Sequence, residues 1–472
     1  MSVEGKQFLD GQWQSGAEAE EVRNSFDDAL VGSIVSGSRQ DAADAVSAAS
    51  AALEIPFPAH ERYRVLMRTA DLVEAATEQL AKVLAQEGSK TITEARREPP
   101  RAADILRLAA DASRRVAGET LPFDARKGSE NRAGYFMRVP VGVVAAILPF
   151  NDPLAVAAHK VGPALAAGNA VVLKPDSRTP FAPMRLVEFF REAGLPPGRL
   201  GFVTGAGEVV GDALVRDNRV RLVSFTGGLG TGEKITQNAG VKKLILELGS
   251  NSAVLVMDDA DLDKAVPSIV AGAYAQAGQN CLGVQRVLVH RDVYASFRTR
   301  LLAEVATLKS GHSLDPHTEV CGMIRLSEAE RVEAWIHEAV AGGAKLLAGG
   351  TRHGAVIEPA VLEDVPAGCR MDCEEVYGPV LGLYSIDSIE EGIARTNAVG
   401  YGLHAAVFTQ RIADAFKAIN QLHVGGVIIN DSTDYRLDSM PFGGVKGSGI
   451  GREGIEAAVH SMTEERVVCF NL

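Results

Sequence analysis

The segment AQAGQNCLGVQRV, residues 275 to 287, places a single cysteine on a glycine-flanked stretch. Cys281 follows Gly278 and Asn280 and precedes Gly283, whereas a cysteine packed for its bulk usually lies inside an apolar run. A thiol acts as a nucleophile where its setting is accessible and electropositive, because the thiolate is the reactive form. The sequence predicts such a setting for Cys281. An unreactive loop thiol is the alternative.

Four other polar side chains lie at or just after the ends of short apolar runs, and they are Asn151, Lys174, Thr226 and Glu247. The runs have few alternating polar residues, which is typical of parallel strands that are buried on both faces. In open α/β sheets, ligands bind in the crevice beyond the carboxyl ends of the strands. The sequence therefore predicts one crevice lined by these side chains and by the glycine-rich turn that follows Thr226.

The elements that position these residues alternate between strand and helix. The predicted strands are 141–148, 170–174, 200–205, 222–227 and 243–249, and the predicted helices between them are 153–167, 181–193, 207–217 and 230–239. This alternation predicts an α/β fold with a doubly wound parallel sheet. Residues 40–117 have the pattern of alanine-rich amphipathic helices, and a second block begins near residue 252.

Composition restricts the class of protein. The chain has 472 residues, 46% of them hydrophobic, so two or three domains are expected. A net charge of −12 argues against a nucleic acid or an anionic membrane as partner. The five scattered cysteines favour a reducing compartment over a disulfide framework. Cys369 and Cys373 have no His/Cys pair at metal-ligand spacing to accompany them, so no metal site is expected.

The ends and the apolar segments indicate location and assembly. The N-terminus has no apolar core of signal-peptide length, and charged residues interrupt the most apolar region, 139–173. We therefore expect a cytoplasmic protein that does not span a membrane. The tail TEERVVCFNL resembles an exposed strand in need of a partner, which we expect a neighbouring subunit of a homodimer or homotetramer to supply.

Six segments in order resemble the aldehyde dehydrogenase superfamily over essentially the whole chain. They are LPFNDPLAVAAHKVGPALAAGNAVVLKP, SFTGGLGTGEKI, LELGSN, GQNC, EEVYGPV and MPFGGVKGSGIGREG. A glycine-rich turn alone is a frequent false positive, but six segments in register are specific. The resemblance implies the aldehyde dehydrogenase fold. It assigns 1–120 and 141–248 to a dinucleotide-binding domain, 249–454 to a catalytic domain, and 121–140 with 455–472 to a β oligomerisation extension.

The resemblance also implies catalytic roles. Cys281 matches the nucleophile that forms a thiohemiacetal and then a thioester. Asn151 matches the side chain that stabilises the oxyanion together with the Cys281 backbone N–H. Glu247 matches the general base that activates the hydrolytic water. Relatives that pass the acyl group to coenzyme A generally lack this glutamate, so a free carboxylate is the expected product. The rivals are a coenzyme-A-acylating enzyme and a non-catalytic protein of the same fold.

NAD or NADP is the implied cofactor. Lys174 matches the residue that holds the adenosine ribose, and Thr226, Gly227 and Gly228 belong to the turn beneath the pyrophosphate. Glu375 and Tyr377 match the residues that bind the nicotinamide ribose and back the ring. Relatives specific for NAD usually carry a glutamate where this chain has Ser177, with Arg178 next. A missing carboxylate and an adjacent guanidinium favour acceptance of the NADP 2′-phosphate, although Asp176 leaves a negative charge nearby.

Four positions are expected to contact the substrate, namely Arg101, His159, Arg436 and Asn280. Phosphate-handling relatives have arginines at the first and third positions, and arginine suits carboxylate, phosphate or sulfonate. The alternative is that Arg101 is solvated and that Arg436 pairs with Asp434 or Asp438. Some phosphate users have a further arginine where Asn280 stands. These positions favour a small anionic or hydroxylated aldehyde, of the lactaldehyde, succinate semialdehyde, sulfolactaldehyde or glyceraldehyde 3-phosphate type. The lactaldehyde and non-phosphorylating glyceraldehyde-3-phosphate dehydrogenase branch is the nearest resemblance.

Overall fold

The computed structural model describes residues 3–16 and 18–472. Its largest element is an eight-stranded sheet whose five central strands are parallel. In spatial order the strands are Gly449–Ile450, Lys243–Glu247, Val220–Thr226, Val143–Ile147, Ala170–Lys174, Leu200–Phe202, Gln7–Leu9 and Gln12–Gln14. All five strands predicted between residues 141 and 249 are confirmed, and they are the five parallel ones.

Alternate residues of the central strands enter two different apolar cores, one on each face of this sheet. In the strand Ala170–Lys174, Val171 and Leu173 pack into one core, while Ala170 and Val172 pack into the other. Because both faces are covered, the strands lack the polar alternation of a half-exposed sheet. The doubly wound α/β prediction is confirmed.

A second, seven-stranded sheet has its own core. In spatial order its strands are Lys345–Ala348, Ala360–Glu363, Val380–Ile386, Val284–His290, Ser252–Val256, His404–Phe408 and Gly426–Ile429. Only the first of these is antiparallel to its neighbour. Smaller sheets are formed by Val3–Gly5, Leu30–Val35 and Ala19–Arg23, and by Arg352–His353 with Val356–Ile357.

The C-terminal strand Thr463–Asn471 finds its partner within its own chain. It pairs antiparallel with Arg132–Pro140 over nine residues, and that strand also pairs with Glu119–Leu121. The expectation that a neighbouring subunit supplies this partner is therefore wrong for one edge of the strand. The physical reason is that a complementary strand lies more than 300 positions earlier in the chain. The other edge of Thr463–Asn471 is the border of this three-stranded sheet.

The helices cover both large sheets. They are Arg39–Ala52, Ala59–Ala75, Thr77–Glu87, Ile92–Ala95, Glu98–Ser113, Pro153–Ala166, Phe181–Glu192, Asp212–Arg216, Leu229–Asn238, Leu262–Tyr274, Arg291–Val305, Leu326–Ala341, Arg370–Cys373, Ile389–Asn397, Ile412–Gln421 and Ile455–Ser461. The four helices predicted between the parallel strands are all present, the third beginning with a wider turn at Gly207–Gly211. Within the described ranges, no helix is both long and apolar enough to cross a bilayer.

The predicted domain limits remain a prediction. The strand Gly449–Ile450 belongs to the first sheet, and Ile455 and Val459 of the last helix pack into the first core. The chain therefore returns to the first sheet after completing the second one.

Candidate active site

A cavity of about 900 Å³ lies at the carboxyl ends of the parallel strands of the first sheet and reaches Cys281. Every predicted catalytic and cofactor-binding residue lines it. These residues are Asn151, Lys174, Ser177, Arg178, Thr226, Gly227, Gly228, Glu247, Cys281, Glu375 and Tyr377. The structure thus brings together side chains that are up to 226 positions apart in the sequence.

Cys281 follows an unusual stretch of backbone. Gln276 and Ala277 have φ of 55° and 54°, in the left-handed region that side-chain-bearing residues rarely adopt. The Gln276 backbone N–H donates to Glu94 at 2.8 Å, and its side-chain amide donates to Asp152 at 3.0 Å. These polar contacts hold a strained conformation, and strain of this kind is concentrated at functional sites.

The Cys281 thiol lies in a less polar setting than its sequence predicts. It packs against a small apolar cluster of Leu282, Leu403 and Phe442, and burial raises its pKa to about 12. The Arg436 guanidinium opposes this shift, while nearby carboxylates reinforce it. The thiol is nevertheless only half-buried and lines the cavity, so an aldehyde carbon can approach it. Leu403 and Phe442 of the apolar cover lie more than 100 positions downstream, and the local sequence does not reveal them.

Glu247 is the last residue of its strand and only 2% exposed. Neither carboxylate oxygen has a hydrogen-bond partner among the described residues. Gly443 lies close to the Glu247 carboxylate, since a Cβ at that glycine would lie 2.6 Å from Glu247 Oε1. Burial raises the pKa of Glu247 well above its usual range, and the charge of Glu453 adds to the effect. A carboxylate of this kind is a stronger base than a solvated one.

Asn151 lies between the end of a central strand and the helix Pro153–Ala166, and it is 6% exposed. The position of this helix is fixed by Glu98, whose Oε1 accepts the backbone N–H groups of Leu154 and Ala155, both at 2.9 Å. A buried carboxylate at a helix N-terminus satisfies donors that otherwise lack partners. Glu98 thereby positions the turn that carries Asn151.

The far end of the cavity carries the cations Lys174 and Arg178 together with acidic residues, of which Asp176 is the one paired with Arg178. The buried Lys174 ammonium donates to the Pro175 carbonyl at 2.8 Å. Ser177 Oγ is 3.5 Å from the Gly205 carbonyl, and the Arg178 guanidinium lies 3.6 Å from Asp176. Two cations without a glutamate at position 177 suit an adenosine ribose that carries a phosphate. Asp176 partly neutralises Arg178, as its sequence position predicts.

The middle of the cavity fits a pyrophosphate. Gly228 is the N-cap of the helix Leu229–Asn238, and a Cβ there would meet open space. The backbone N–H groups at such a helix end attract anions. The Gly227 N–H is already used, since it donates to the Glu247 carbonyl at 3.0 Å.

The end of the cavity nearest Cys281 fits a ribose and a planar ring. Glu375 Oε1 accepts the Ser250 backbone N–H at 2.7 Å, and burial raises the pKa of Glu375 to about 7. Gly249 is required beside it, because a Cβ there would lie 2.2 Å from Glu375 Oε2. The Tyr377 ring stands edge-on to Phe150, with centroids 5.9 Å apart. The residues present therefore fit a nicotinamide dinucleotide along the whole cavity.

The four predicted substrate residues lie outside the set that lines the cavity in the described part of the chain. Three of them form one cluster with Asp438, which accepts from Arg101 at 2.8 Å and contacts His159 Nε2 at 2.8 Å. Arg436 stacks on Phe442, with its guanidinium carbon 3.7 Å from the ring centroid. The pKa values of Cys281 and Glu247 are raised by burial, and the Arg436 charge opposes both shifts.

Asn280 is engaged by its own loop. Its side-chain oxygen accepts the Leu282 backbone N–H at 3.0 Å, and its carbonyl accepts the Gly283 N–H at 2.9 Å. The side chain thus shapes the turn around Cys281. The structure does not bring it together with Arg101, His159 and Arg436.

Two further charged residues belong to the site and were not predicted from the sequence. Lys160 and Glu453 form a buried ion pair of 2.8 Å, and both charges act on Glu247. A signal was present, because Lys160 interrupts the otherwise apolar helix Pro153–Ala166 and a buried lysine requires a partner. The identity of that partner could not be inferred from a position 293 residues away.

The fold and the site define a member of the aldehyde dehydrogenase family, and the chain belongs to it. The model of the Aldehyde dehydrogenase family matches residues 13–468. The chain is 44% identical to the 3-sulfolactaldehyde dehydrogenase of Priestia aryabhattai over 465 residues, which cover 98% of both proteins. It is 36% identical to the lactaldehyde dehydrogenase of Methanococcus aeolicus, covering 98% of this chain and 99% of that one.

A solved structure is similar over the full length. It is the NADP-dependent glyceraldehyde-3-phosphate dehydrogenase from Bacillus halodurans complexed with NADP, with a TM-score of 0.97, 36% identity and 100% coverage of both chains. These similarities confirm the predicted family, its fold and its lactaldehyde-like branch. They confirm the class of enzyme, an NAD(P)-dependent aldehyde dehydrogenase.

Proposed function

We propose that this enzyme oxidises a short aldehyde carrying an anionic group or a hydroxyl group, and releases the free carboxylate. The convergence of Cys281, Asn151 and Glu247 on one end of the cavity, with Arg436 acting on two of them, carries the proposal. The relatives named for sulfolactaldehyde, lactaldehyde and glyceraldehyde 3-phosphate support a small polar substrate.

Catalysis begins with the sulfur. The Cys281 thiolate adds to the aldehyde carbon and forms a thiohemiacetal, whose oxyanion is stabilised by the Asn151 side chain and the Cys281 backbone N–H. A nicotinamide held at this end of the cavity would accept the hydride that leaves the former aldehyde carbon, which leaves a thioester on Cys281. Glu247 then removes a proton from a water molecule that attacks the thioester, and the carbon–sulfur bond breaks to release the acid. The buried carboxylate of Glu247, which has no hydrogen-bond partner within residues 3–16 and 18–472, supports hydrolysis over transfer to coenzyme A.

The Glu247→Gln variant tests the hydrolytic step. We expect a burst of about one reduced nicotinamide per active subunit, followed by steady turnover slower than wild type by roughly 10²–10⁴-fold. Wild-type turnover in the variant, or a large acceleration of either protein by coenzyme A, would contradict hydrolysis by Glu247. Cys281→Ser serves as the blank because it lacks the nucleophile.

A panel of aldehydes tests the substrate class with both NAD and NADP. Initial rates are compared for 3-sulfolactaldehyde, succinate semialdehyde and glyceraldehyde 3-phosphate against lactaldehyde and propanal. We expect kcat/KM for at least one anionic aldehyde to exceed that of propanal by about 100-fold, which corresponds to ~2.7 kcal/mol and is a plausible size for one charged contact. Equal rates across the panel would indicate a generalist and overturn this part of the proposal.

A further inference from the structure

Asp438 lies among the three residues that were expected to recognise an anionic substrate. Its Oδ1 is 2.8 Å from Arg101 Nη2, 3.0 Å from Arg101 Nε and 2.8 Å from His159 Nε2. Arg436 Nε is 4.0 Å from the same oxygen. Arg101 and Asp438 thus form a bidentate ion pair, which is the strongest arrangement of a guanidinium and a carboxylate.

The Arg101 charge is therefore already matched within the protein. The other edge of the Arg101 guanidinium faces Asp152, with Nη1 3.7 Å from Asp152 Oδ2. Asp152 is itself paired with the buried Lys90. An incoming anion would have to displace a carboxylate in order to gain a contact with Arg101.

His159 adds no charge to this cluster. Burial and the neighbouring Arg436 charge lower its pKa to about 4, although Asp438 and Glu453 oppose the shift. At neutral pH its imidazole is uncharged and forms a hydrogen bond with Asp438. The ring thus fixes the carboxylate without contributing to anion binding.

Arg436 is the least compensated of these cations. Its contact with Glu453 is 3.4 Å, and Glu453 is shared with Lys160 at 2.8 Å. The cluster contains three cations, Arg101, Arg436 and Lys160, and two carboxylates, Asp438 and Glu453. Its net charge is therefore +1. The Arg436 charge also opposes the burial-driven rise in the pKa of Cys281, so it acts close to the sulfur that attacks the substrate.

We propose that Asp438 is a specificity-determining residue: by cancelling the Arg101 charge, it tunes the site to an aldehyde whose distal group carries one negative charge rather than two. This inference rests on the proposed function. A carboxylate or sulfonate matches a single excess positive charge. A phosphate ester, with a charge of about −1.5 to −2 at neutral pH, leaves part of its charge uncompensated in a partly buried site, which is costly.

The Asp438→Asn variant tests the proposal. Asparagine keeps an oxygen acceptor for His159 but removes the negative charge. We measure kcat/KM for glyceraldehyde 3-phosphate and for succinate semialdehyde at fixed pH and ionic strength. The ratio of the two constants should rise about tenfold in favour of the phosphate, as expected for one unit charge acting at roughly 12 Å with an effective dielectric constant of about 20. The ratio is independent of the fraction of active enzyme.

Two further variants keep the test decisive. Asp434→Asn is the matched control, because this carboxylate lies on the same loop but faces Ser432 and Gly272 instead of an arginine, so the ratio should not change. Arg101→Met combined with Asp438→Asn removes one cation and one carboxylate, so the cluster keeps its single excess positive charge and the ratio should return to the wild-type value. If Asp438→Asn is poorly folded, Arg101→Met alone should lower the preference for succinate semialdehyde over lactaldehyde.

The outcomes separate this inference from the function on which it rests. A wild-type enzyme inactive with every anionic and hydroxylated aldehyde would refute the proposed function, whereas activity with lactaldehyde alone would overturn only the role of Asp438. An active wild-type enzyme whose ratio is unchanged in Asp438→Asn, or shifts away from the phosphate, would overturn the role of Asp438 alone.

Discussion

The Lys160 ammonium lies 2.8 Å from Glu453 Oε1, and both side chains are almost completely buried beside Glu247. Ser224 accepts a second hydrogen bond from Lys160 at 3.1 Å, while Arg436 approaches the other oxygen of Glu453. These cations lower the pKa of Glu453 to about 2. Because Glu453 stays ionised, its charge opposes ionisation of Glu247. Burial and this charge thus raise the pKa of Glu247, whereas the neighbouring cations lower the pKa of Glu453.

The Glu453→Gln variant should shift the acid limb of thioester hydrolysis to lower pH. Glu247 acts as a base only when it is deprotonated, and its raised pKa means that the base form is lost as the pH falls through that raised value. Removing the charge of Glu453 lowers the pKa of Glu247, so the base form persists to lower pH. The measurement is the rate of acid release after the burst, from pH 5 to pH 9.

Glu456→Gln is the control for this experiment. Glu456 is exposed and pairs with Arg115 at 2.9 Å, away from Glu247. Its removal should leave the acid limb in place. If the acid limb of the pH profile of Glu453→Gln coincides with that of wild type, the charge of Glu453 does not affect the pKa of Glu247.

Lys90→Met should destabilise the protein by about 3–5 kcal/mol, the usual cost of removing one partner of a buried ion pair. Lys90 contacts both Glu98 and Asp152, and its loss leaves two carboxylates in a buried site. The midpoint of thermal unfolding should fall by several degrees, whereas Lys82→Met, at an exposed position of the preceding helix, should have little effect. The loss should be smaller at low pH, because an unpaired Glu98, whose pKa is already raised by burial, can then be protonated. A loss that grows on acidification would contradict this account.

The sequence predicted the first sheet and the residues at its carboxyl edge because both depend on local patterns. Lys174 and Glu247 are the last residues of their strands, as expected from the apolar runs that precede them. The ligand-binding edge of a parallel sheet follows from topology alone. Lys174, Asn151 and Glu247 could thus be assigned to one crevice without coordinates.

The ion pairs and packing contacts that determine the electrostatics of the site could not be predicted, because they join distant parts of the chain. Arg101 and Asp438 are 337 positions apart, and Asp438 was considered as a partner for Arg436 instead. The partner of the C-terminal strand was likewise placed in another subunit, although Arg132–Pro140 supplies it. The apolar cover of Cys281 likewise depends on the distant Phe442 as well as on the adjacent Leu282.

Alkylation of Cys281 by iodoacetamide should be slow at neutral pH in the enzyme without cofactor. Burial raises the pKa of this thiol to about 12, so the thiolate fraction and the rate should increase about tenfold per pH unit up to roughly pH 10. Arg436→Met should slow the reaction further at each pH, since the guanidinium lowers the pKa of Cys281. Mass spectrometry follows Cys281, with the exposed Cys469 as an internal reference for the reagent. A rate that reaches a plateau near pH 7 would show that the thiolate is already formed.

The Ser177→Glu variant should shift the cofactor preference of the enzyme from NADP towards NAD. Ser177 lines the cavity next to Arg178, so a carboxylate at this position would approach the 2′-phosphate of NADP and also compete for Arg178. We expect kcat/KM for NADP to fall by about 10–100-fold, because placing like charges together costs a few kcal/mol, while the value for NAD changes little. Ser177→Gln is the control, since it adds similar bulk without charge and should retain most activity with NADP. Equal losses with both cofactors in Ser177→Glu would indicate a steric effect, and an unchanged NADP constant would place the 2′-phosphate away from this residue.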